Sequence, residues 1–280
     1  MCGASCVAAL KPLSTHLSAT ARPVRVVGHS AGSPQTEWPP VPLARFQARR
    51  NRGPRGYRAA IRKLSYHETR NTKYEATETC MIELDSAASA VLARLASFGQ
   101  ENDARMADRS RKMLNLELPT AELLYLLVTG ARRRRMLEIG TSNGYSAIWL
   151  AHALRETDGQ PLVTVECSPE KAGQARANLR AASLQDWAQV IEGEATQVCA
   201  AVTGPFDCVF FDADRVSAPR QLAHLLPKLT ADALLVADNA LSHPDEIAAY
   251  LAAVDATREF DTTIVPVGKG LHIARRRRPA

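Results

Sequence analysis

Residues 135–150 read RMLEIGTSNGYSAIWL. Met136–Ile139 is a short apolar run of strand type, and Tyr145–Leu154 carries its apolar residues at helical spacing. Between them lie Gly140 and Gly144, in the pattern G-x-x-x-G. Gly140 permits a tight turn that a side chain would block, and Gly144 allows a close backbone approach. The stretch therefore predicts strand, tight turn, helix. The helix start offers free N–H groups and partial positive charge to a ligand. The glycine pair alone is weak evidence, because ordinary strand–helix turns also use glycine. The dinucleotide pattern G-x-G-x-x-G and the P-loop Gly-Lys-Ser/Thr are both missing here.

Downstream, strands and helices alternate. Strands are expected at Leu162–Val165, Gln189–Ile191, Phe206–Phe211 and Ala233–Ala237. Helices are expected at Pro169–Ala182, Ala195–Val202, Ala218–Leu229 and Pro244–Ala256, the last with Ser242 as its cap. Thr262–Val267 and Leu271–Ala274 flank Gly268-Lys269-Gly270, which reads as a hairpin turn. Upstream, Ala87–Ser97, Asp103–Met113 and a segment from Thr120 read as three helices. Five β/α units predict an α/β fold: a seven-stranded, mostly parallel sheet with helices on both faces and an antiparallel C-terminal hairpin strand. In such sheets ligands bind outside the carboxyl ends of the strands.

The chemically loaded residues fall at those ends. Glu166 closes the second strand, 26 residues after Gly140, where a carboxylate accepts hydrogen bonds from ribose hydroxyls. A surface glutamate is the alternative; coupled to the glycine loop, ribose binding is preferred. An adenosine-type ligand without a pyrophosphate signature fits S-adenosylmethionine (SAM) better than NAD. Asp212 follows the fourth strand, and Asp238-Asn239 follows the fifth. Two carboxylates and an amide oxygen suit Mg²⁺ or Ca²⁺. Turn or cap residues are the competing reading.

Composition bounds the rest. The 280 residues are 46% hydrophobic and 23% charged, with a net charge of +6. Residues 1–80 hold 13 Lys+Arg against 4 Asp+Glu, whereas the other 200 hold 22 against 25. The excess basicity is therefore N-terminal, and the larger part lacks a nucleic-acid footprint. Residues 1–80 read as an irregular basic extension, with Met81 as the original start. Organelle targeting by residues 1–36 and a nucleic-acid tail are weaker alternatives. The runs Arg132–Arg135 and Arg275–Arg278 read as solvated charge. Six scattered cysteines form neither a C-x-x-C pair nor a disulfide framework, and Cys208 reads as a core residue. No run is long and apolar enough to span a membrane, and a cytoplasmic protein is expected.

RMLEIGTSNGYSAIWL, together with VTVE, FFDADR and ADN at these intervals, resembles the cation-dependent class I SAM O-methyltransferases, the catechol and caffeoyl-CoA O-methyltransferases and their small bacterial relatives. The resemblance covers about Leu114 to Ile273 and implies a Rossmann-like domain over 81–280. It implies that Gly140, Thr141, Gly144, Tyr145 and Ser146 line the methionine part of SAM, with Glu138 and Asp212 also among the cofactor-binding residues. Glu166 would hold the ribose and Ala195 would contact the adenine. Asp212, Asp238 and Asn239 match the metal ligands. The implied acceptor is a small hydroxylated molecule, and a homodimer is usual. One departure matters: the family usually has Lys after Asp-Ala-Asp, and this chain has Arg215, which stays protonated. Catalytic duty would then rest on Asp212, Arg215 and His243, the last a candidate base. A SAM-binding protein with little or no catalysis is the alternative reading.

Overall fold

The computed structural model describes residues 82–278. The expectations placed on residues 1–81, among them the basic extension, targeting and the start at Met81, lie outside the described residues. Helix α1 is Ser86–Arg105 and α2 is Leu118–Gly130. Five strand–helix units follow. They are β1 Met136–Ile139 with α3 Tyr145–Glu156, β2 Leu162–Glu166 with α4 Pro169–Ala181, and β3 Ala188–Glu192 with α5 Ala195–Ala201. Then come β4 Phe206–Phe211 with α6 Ala218–Leu225, and β5 Leu229–Ala237 with α7 Pro244–Thr257. Strands β6 Phe260–Val265 and β7 Leu271–Arg276 close the chain.

The sheet order is β3-β2-β1-β4-β5-β7-β6. β3, β2, β1, β4 and β5 pair in parallel, and β7 runs antiparallel to both β5 and β6. The central strands are covered on both faces, which is why residues 208–211 and Ala233–Ala237 read as continuous apolar runs rather than alternating ones. Two cores result. One packs Met136, Cys208 and Phe210 under α1–α4, and the other packs Leu137, Ile139 and Phe211 under α5–α7. Every residue of α3 from Tyr145 to Leu154 is buried, because α1, α2 and α4 enclose it. The strand order reverses between β1 and β4, and a crevice opens at the carboxyl ends beside that point.

Three local readings are corrected. A helix does not span Asp103–Met113: α1 ends at Arg105 and only a 3₁₀ turn, Arg109–Arg111, follows. The Asp103 carboxylate accepts the backbone N–H groups of Met113 (2.7 Å) and Leu114 (2.8 Å), and Asp108 accepts that of Ser110 (2.9 Å). These side chains offer the backbone partners that compete with a helix. Ser242 does not cap α7; His243 holds that position, and the Ser242 hydroxyl turns to Asn239 instead. The arginine runs are not simply solvated. Arg133 is buried and donates to the Asp232 carbonyl (3.0 Å), Arg276 donates to the Leu229 carbonyl (3.2 Å), and Arg278 pairs with Asp232 (3.2 Å). They hold the first half of β5, which starts four residues earlier than its apolar run suggests.

Candidate active site

At the carboxyl ends of β1, β2, β4 and β5 lies a cavity of about 560 Å³. Gly140, Thr141, Tyr145, Ser146, Glu166 and Ala195 line one part of it. Asp212, Arg215, Asp238, Asn239 and His243 line the other. Residues from four separated strand ends thus meet in one space. Two expected residues do not reach the wall. Glu138 is fully buried behind it. Gly144 (φ +90°) faces α4, where an added Cβ would lie 3.1 Å from Ala175 Cα. Its lack of a side chain serves helix packing rather than the cavity.

Gly140 has φ +104°, and a Cβ there would sit 2.5 Å from the Asp212 carbonyl oxygen. Glycine is what lets the β1 and β4 ends close on each other. Ser142, in the left-handed region at φ +47°, donates its N–H to Glu166 Oε2 (2.8 Å). The Ser168 N–H donates to Glu166 Oε1 (2.9 Å). These bonds fix the Glu166 carboxylate at the cavity wall, each oxygen retaining acceptor capacity. Below the loop, Thr141 and Thr164 hydroxyls meet at 2.5 Å, and Thr164 donates to Glu138 Oε2 (2.6 Å). Burial pushes the Glu138 carboxyl up to about 7, opposed by the Ser146 and Thr164 hydroxyls and reinforced by Glu166.

A raised carboxyl pKa favours the protonated fold. The contribution is full below about 4.5 and is lost as pH rises through about 7. Ionised Glu138 therefore costs the ligand-free protein about 3 kcal/mol above that window. Glu138→Gln removes the dependence. Its melting temperature should gain on the wild type between about pH 4.5 and 7 and then level off, by calorimetry without ligand, and a pH-independent difference would contradict the assignment.

The second half of the site is carboxylate-rich. Asp238 is buried; its Oδ2 accepts the Asn239 amide (2.9 Å) and its Oδ1 has no hydrogen-bond partner. Asn239 Oδ1 accepts the Ser242 hydroxyl (3.2 Å). The Asp212 carboxylate accepts no hydrogen bond among the described residues. Burial raises both aspartates; Asp212 is raised further by the Asp238 and Glu138 charges, and the Lys269 ammonium partly offsets this for both. Among the described residues no three His, Cys, Asp or Glu side chains converge, so a cation held here would take the Asn239 amide as its third protein group.

Arg215 donates through Nε (3.0 Å) and Nη2 (2.6 Å) to Glu246 Oε2. His243 lies nearby, its Nδ1 2.8 Å from the Ser242 hydroxyl. Burial and the Arg215 charge lower its pKa and keep the ring neutral.

Sequence reading missed the wall built by Arg109, Met113, Leu114 and Asn115. The Ser142 hydroxyl and Lys171 ammonium tie it down by donating to the Met113 (2.8 Å) and Lys112 (2.7 Å) carbonyls. Most of that segment reads as helix from its sequence, whereas the structure has a 3₁₀ turn and extended chain there. Lys269 was missed too, although a charged residue between two glycines, at the edge beside β5, was a signal.

The chain matches a family model described as a methyltransferase domain over residues 137–240. It is 36% identical over 121 residues to a catechol O-methyltransferase of Mycobacterium tuberculosis, covering 43% of this chain and 54% of that relative. It is 31% identical over 153 residues to one from Niastella koreensis, covering 51% and 68%. The chain thus spans about half the length of the first of these relatives. A solved O-methyltransferase from Bacillus cereus in complex with SAH superposes with a TM-score of 0.57 at 27% identity, over 70% of this chain and 93% of that one. TomG from Streptomyces achromogenes, solved with SAM, gives 0.57 at 28%, over 70% and 92%. With its sheet order, its glycine loop and these relatives, the chain belongs to the class I SAM-dependent O-methyltransferase family.

Proposed function

We propose that this protein transfers the methyl group of SAM to a hydroxyl of a small, catechol-like acceptor, with a divalent cation such as Mg²⁺ beside the acceptor. One observation carries the reading: a single cavity joins the Gly140 loop and Glu166 to Asp212, Asp238 and Asn239. The relatives are catechol O-methyltransferases, and a neighbouring structure holds SAM, which supports the chemistry on both sides of that cavity.

Glu166 would hold the ribose, Ala195 would pack on the adenine, and Thr141, Tyr145 and Ser146 would surround the methionine part. The donor set fits a hard cation: the buried Asp238 Oδ1 is unpartnered, the neighbouring Asp212 carboxylate has no donor, and both repel each other. When bound, the cation supplies a lowered acceptor pKa and a fixed acceptor position, and SAM supplies an activated methyl group. The chain's own residues supply alignment, worth several kcal/mol of barrier, up to roughly 7–11 in ideal cases. In the transfer an O–CH₃ bond forms as the S–CH₃ bond breaks, its electron pair staying on sulfur. The acceptor's proton must leave. Arg215 is bound to Glu246 and stays protonated, so it cannot take it. His243 is neutral in the same wall and is assigned as base. His243→Gln should lower kcat by about 10²-fold or more with unchanged SAH affinity. A near-wild-type kcat with an unchanged pH profile rejects the assignment.

The function is tested by screening phenolic and catecholic acceptors with methyl-labelled SAM. Label transfer that EDTA abolishes is the expected result. Arg215 in place of a lysine motivates a second reading, a SAM-binding protein with little or no catalysis. SAH binding without transfer to any acceptor would favour it. A thermal shift with NAD but none with SAH would reject both.

A further inference from the structure

Gly268-Lys269-Gly270 is more than a turn between β6 and β7. The Lys269 carbonyl accepts the N–H groups of Leu241 and Ser242 (both 3.0 Å), and the Gly270 carbonyl accepts that of Ala240 (2.9 Å). The turn is thus bonded to the loop that carries Asp238 and Asn239. Both glycines take a positive φ that side chains rarely adopt. A Cβ on Gly270 (φ +89°) would lie 2.5 Å from Leu241 Cγ, and one on Gly268 (φ +52°) would lie 2.6 Å from Glu117 Oε2. The turn is wedged between the β5 loop and the start of α2, and Lys269 lines the cavity. Its Nζ pairs with Glu117 Oε1 at 2.8 Å, with both side chains about one-third exposed. Two carboxylate oxygens, Glu117 Oε2 and Asp238 Oδ1, are buried without hydrogen-bond partners.

Arg215 is taken up by Glu246. Lys269 and Glu117 act in opposite senses on both aspartates; the Glu138 charge also acts on Asp212 and the Arg215 charge on Asp238. Beside Lys269 the carboxylates of Glu117, Asp212 and Asp238 are in excess, an arrangement that suits a divalent cation. We propose that Lys269 is a tethered counter-cation that competes with the divalent cation for the Asp212–Asp238 pair, and that Glu117 sets its strength by drawing the ammonium aside. The proposal rests on the cation reading above. It makes cation affinity a property tuned by a residue outside the ligand set.

The test is a calorimetric titration of the full chain, saturated with SAH, with Mn²⁺. Lys269→Met should tighten Mn²⁺ binding by about tenfold or more, as expected for removing a nearby like charge in a partly buried site. Glu117→Gln frees the ammonium and should weaken binding by about the same factor. The double variant should return towards wild type, and Lys269→Arg should stay there. Loss of a merely structural contact cannot tighten a site, so the opposite signs are diagnostic. Unchanged or weaker Mn²⁺ binding in Lys269→Met, with SAH affinity intact, overturns the proposal and leaves the cation reading standing. No Mn²⁺ binding to either wild type or Lys269→Met overturns both, while SAH binding reports separately on the cofactor site.

Discussion

Replacing Asp238 by alanine should cut methyl transfer by about 10³-fold or more while leaving SAH affinity within a few-fold, because a ligand and its charge are lost without touching the ribose wall. The same variant should be no less stable than the wild type without ligand. Asp238 is buried, its Oδ1 has no donor, and its charge raises the pKa of Asp212. A raised carboxyl pKa means that the ionised fold is penalised at neutral pH, and the penalty vanishes with the carboxyl group. Against this stands one lost hydrogen bond from Asn239, worth about 1 kcal/mol. Activity should therefore fall as the melting temperature at pH 8 holds or rises, the expected signature of a site maintained against stability. Two measurements decide: label transfer from SAM, and calorimetry at pH 8 without ligand. EDTA-sensitive turnover persisting at the wild-type rate would remove Asp238 from the mechanism.

The second large effect is expected at Gly140. Gly140→Ala places a Cβ 2.5 Å from the Asp212 carbonyl oxygen in a backbone conformation at φ +104° that side chains rarely adopt. The neighbour is main chain at the end of β4, so it cannot swing away. Either the β1 loop or the β4 end must move, and each carries part of the cavity. Strain of this type costs about 1–3 kcal/mol before the clash is added. For a domain of this size that lowers the melting temperature by roughly 2–12 °C. SAH affinity should fall at least about 10²-fold, because the Thr141–Ser142 turn that positions Glu166 shifts with the loop. Gly144→Ala is the control: its nearest obstacle is Ala175 on α4, so stability should fall more than SAH affinity. Comparable SAH affinity in Gly140→Ala and wild type would mean that the β1 turn does not shape the cofactor site.

Much of the site was legible because strand ends are legible. Apolar runs such as residues 208–211 end abruptly in charge, and in a parallel sheet those ends share one edge. Asp212, Asp238, Asn239 and Glu166 could be brought together on that rule alone. The wall from Arg109 to Asn115 obeys no such rule, because it is held by individual bonds from Asp103, Ser142 and Lys171. Arg215 could be recognised as a departure, but its partner Glu246, 31 residues away, could not.

From its own pattern the sequence determined the order of strands and helices, the sheet's carboxyl edge as the place of chemistry, and the residues at the ends of β1, β2, β4 and β5. These follow from local periodicity and from a topology that chain handedness restricts to few solutions. Only the tertiary structure decided that Glu138 lies behind the wall, that Gly144 serves α4, that the arginine runs hold β5, and that Lys269 lines the cavity in a pair with Glu117. Those outcomes depend on distances between residues far apart in sequence, which burial and pairwise bonding set and no local pattern encodes.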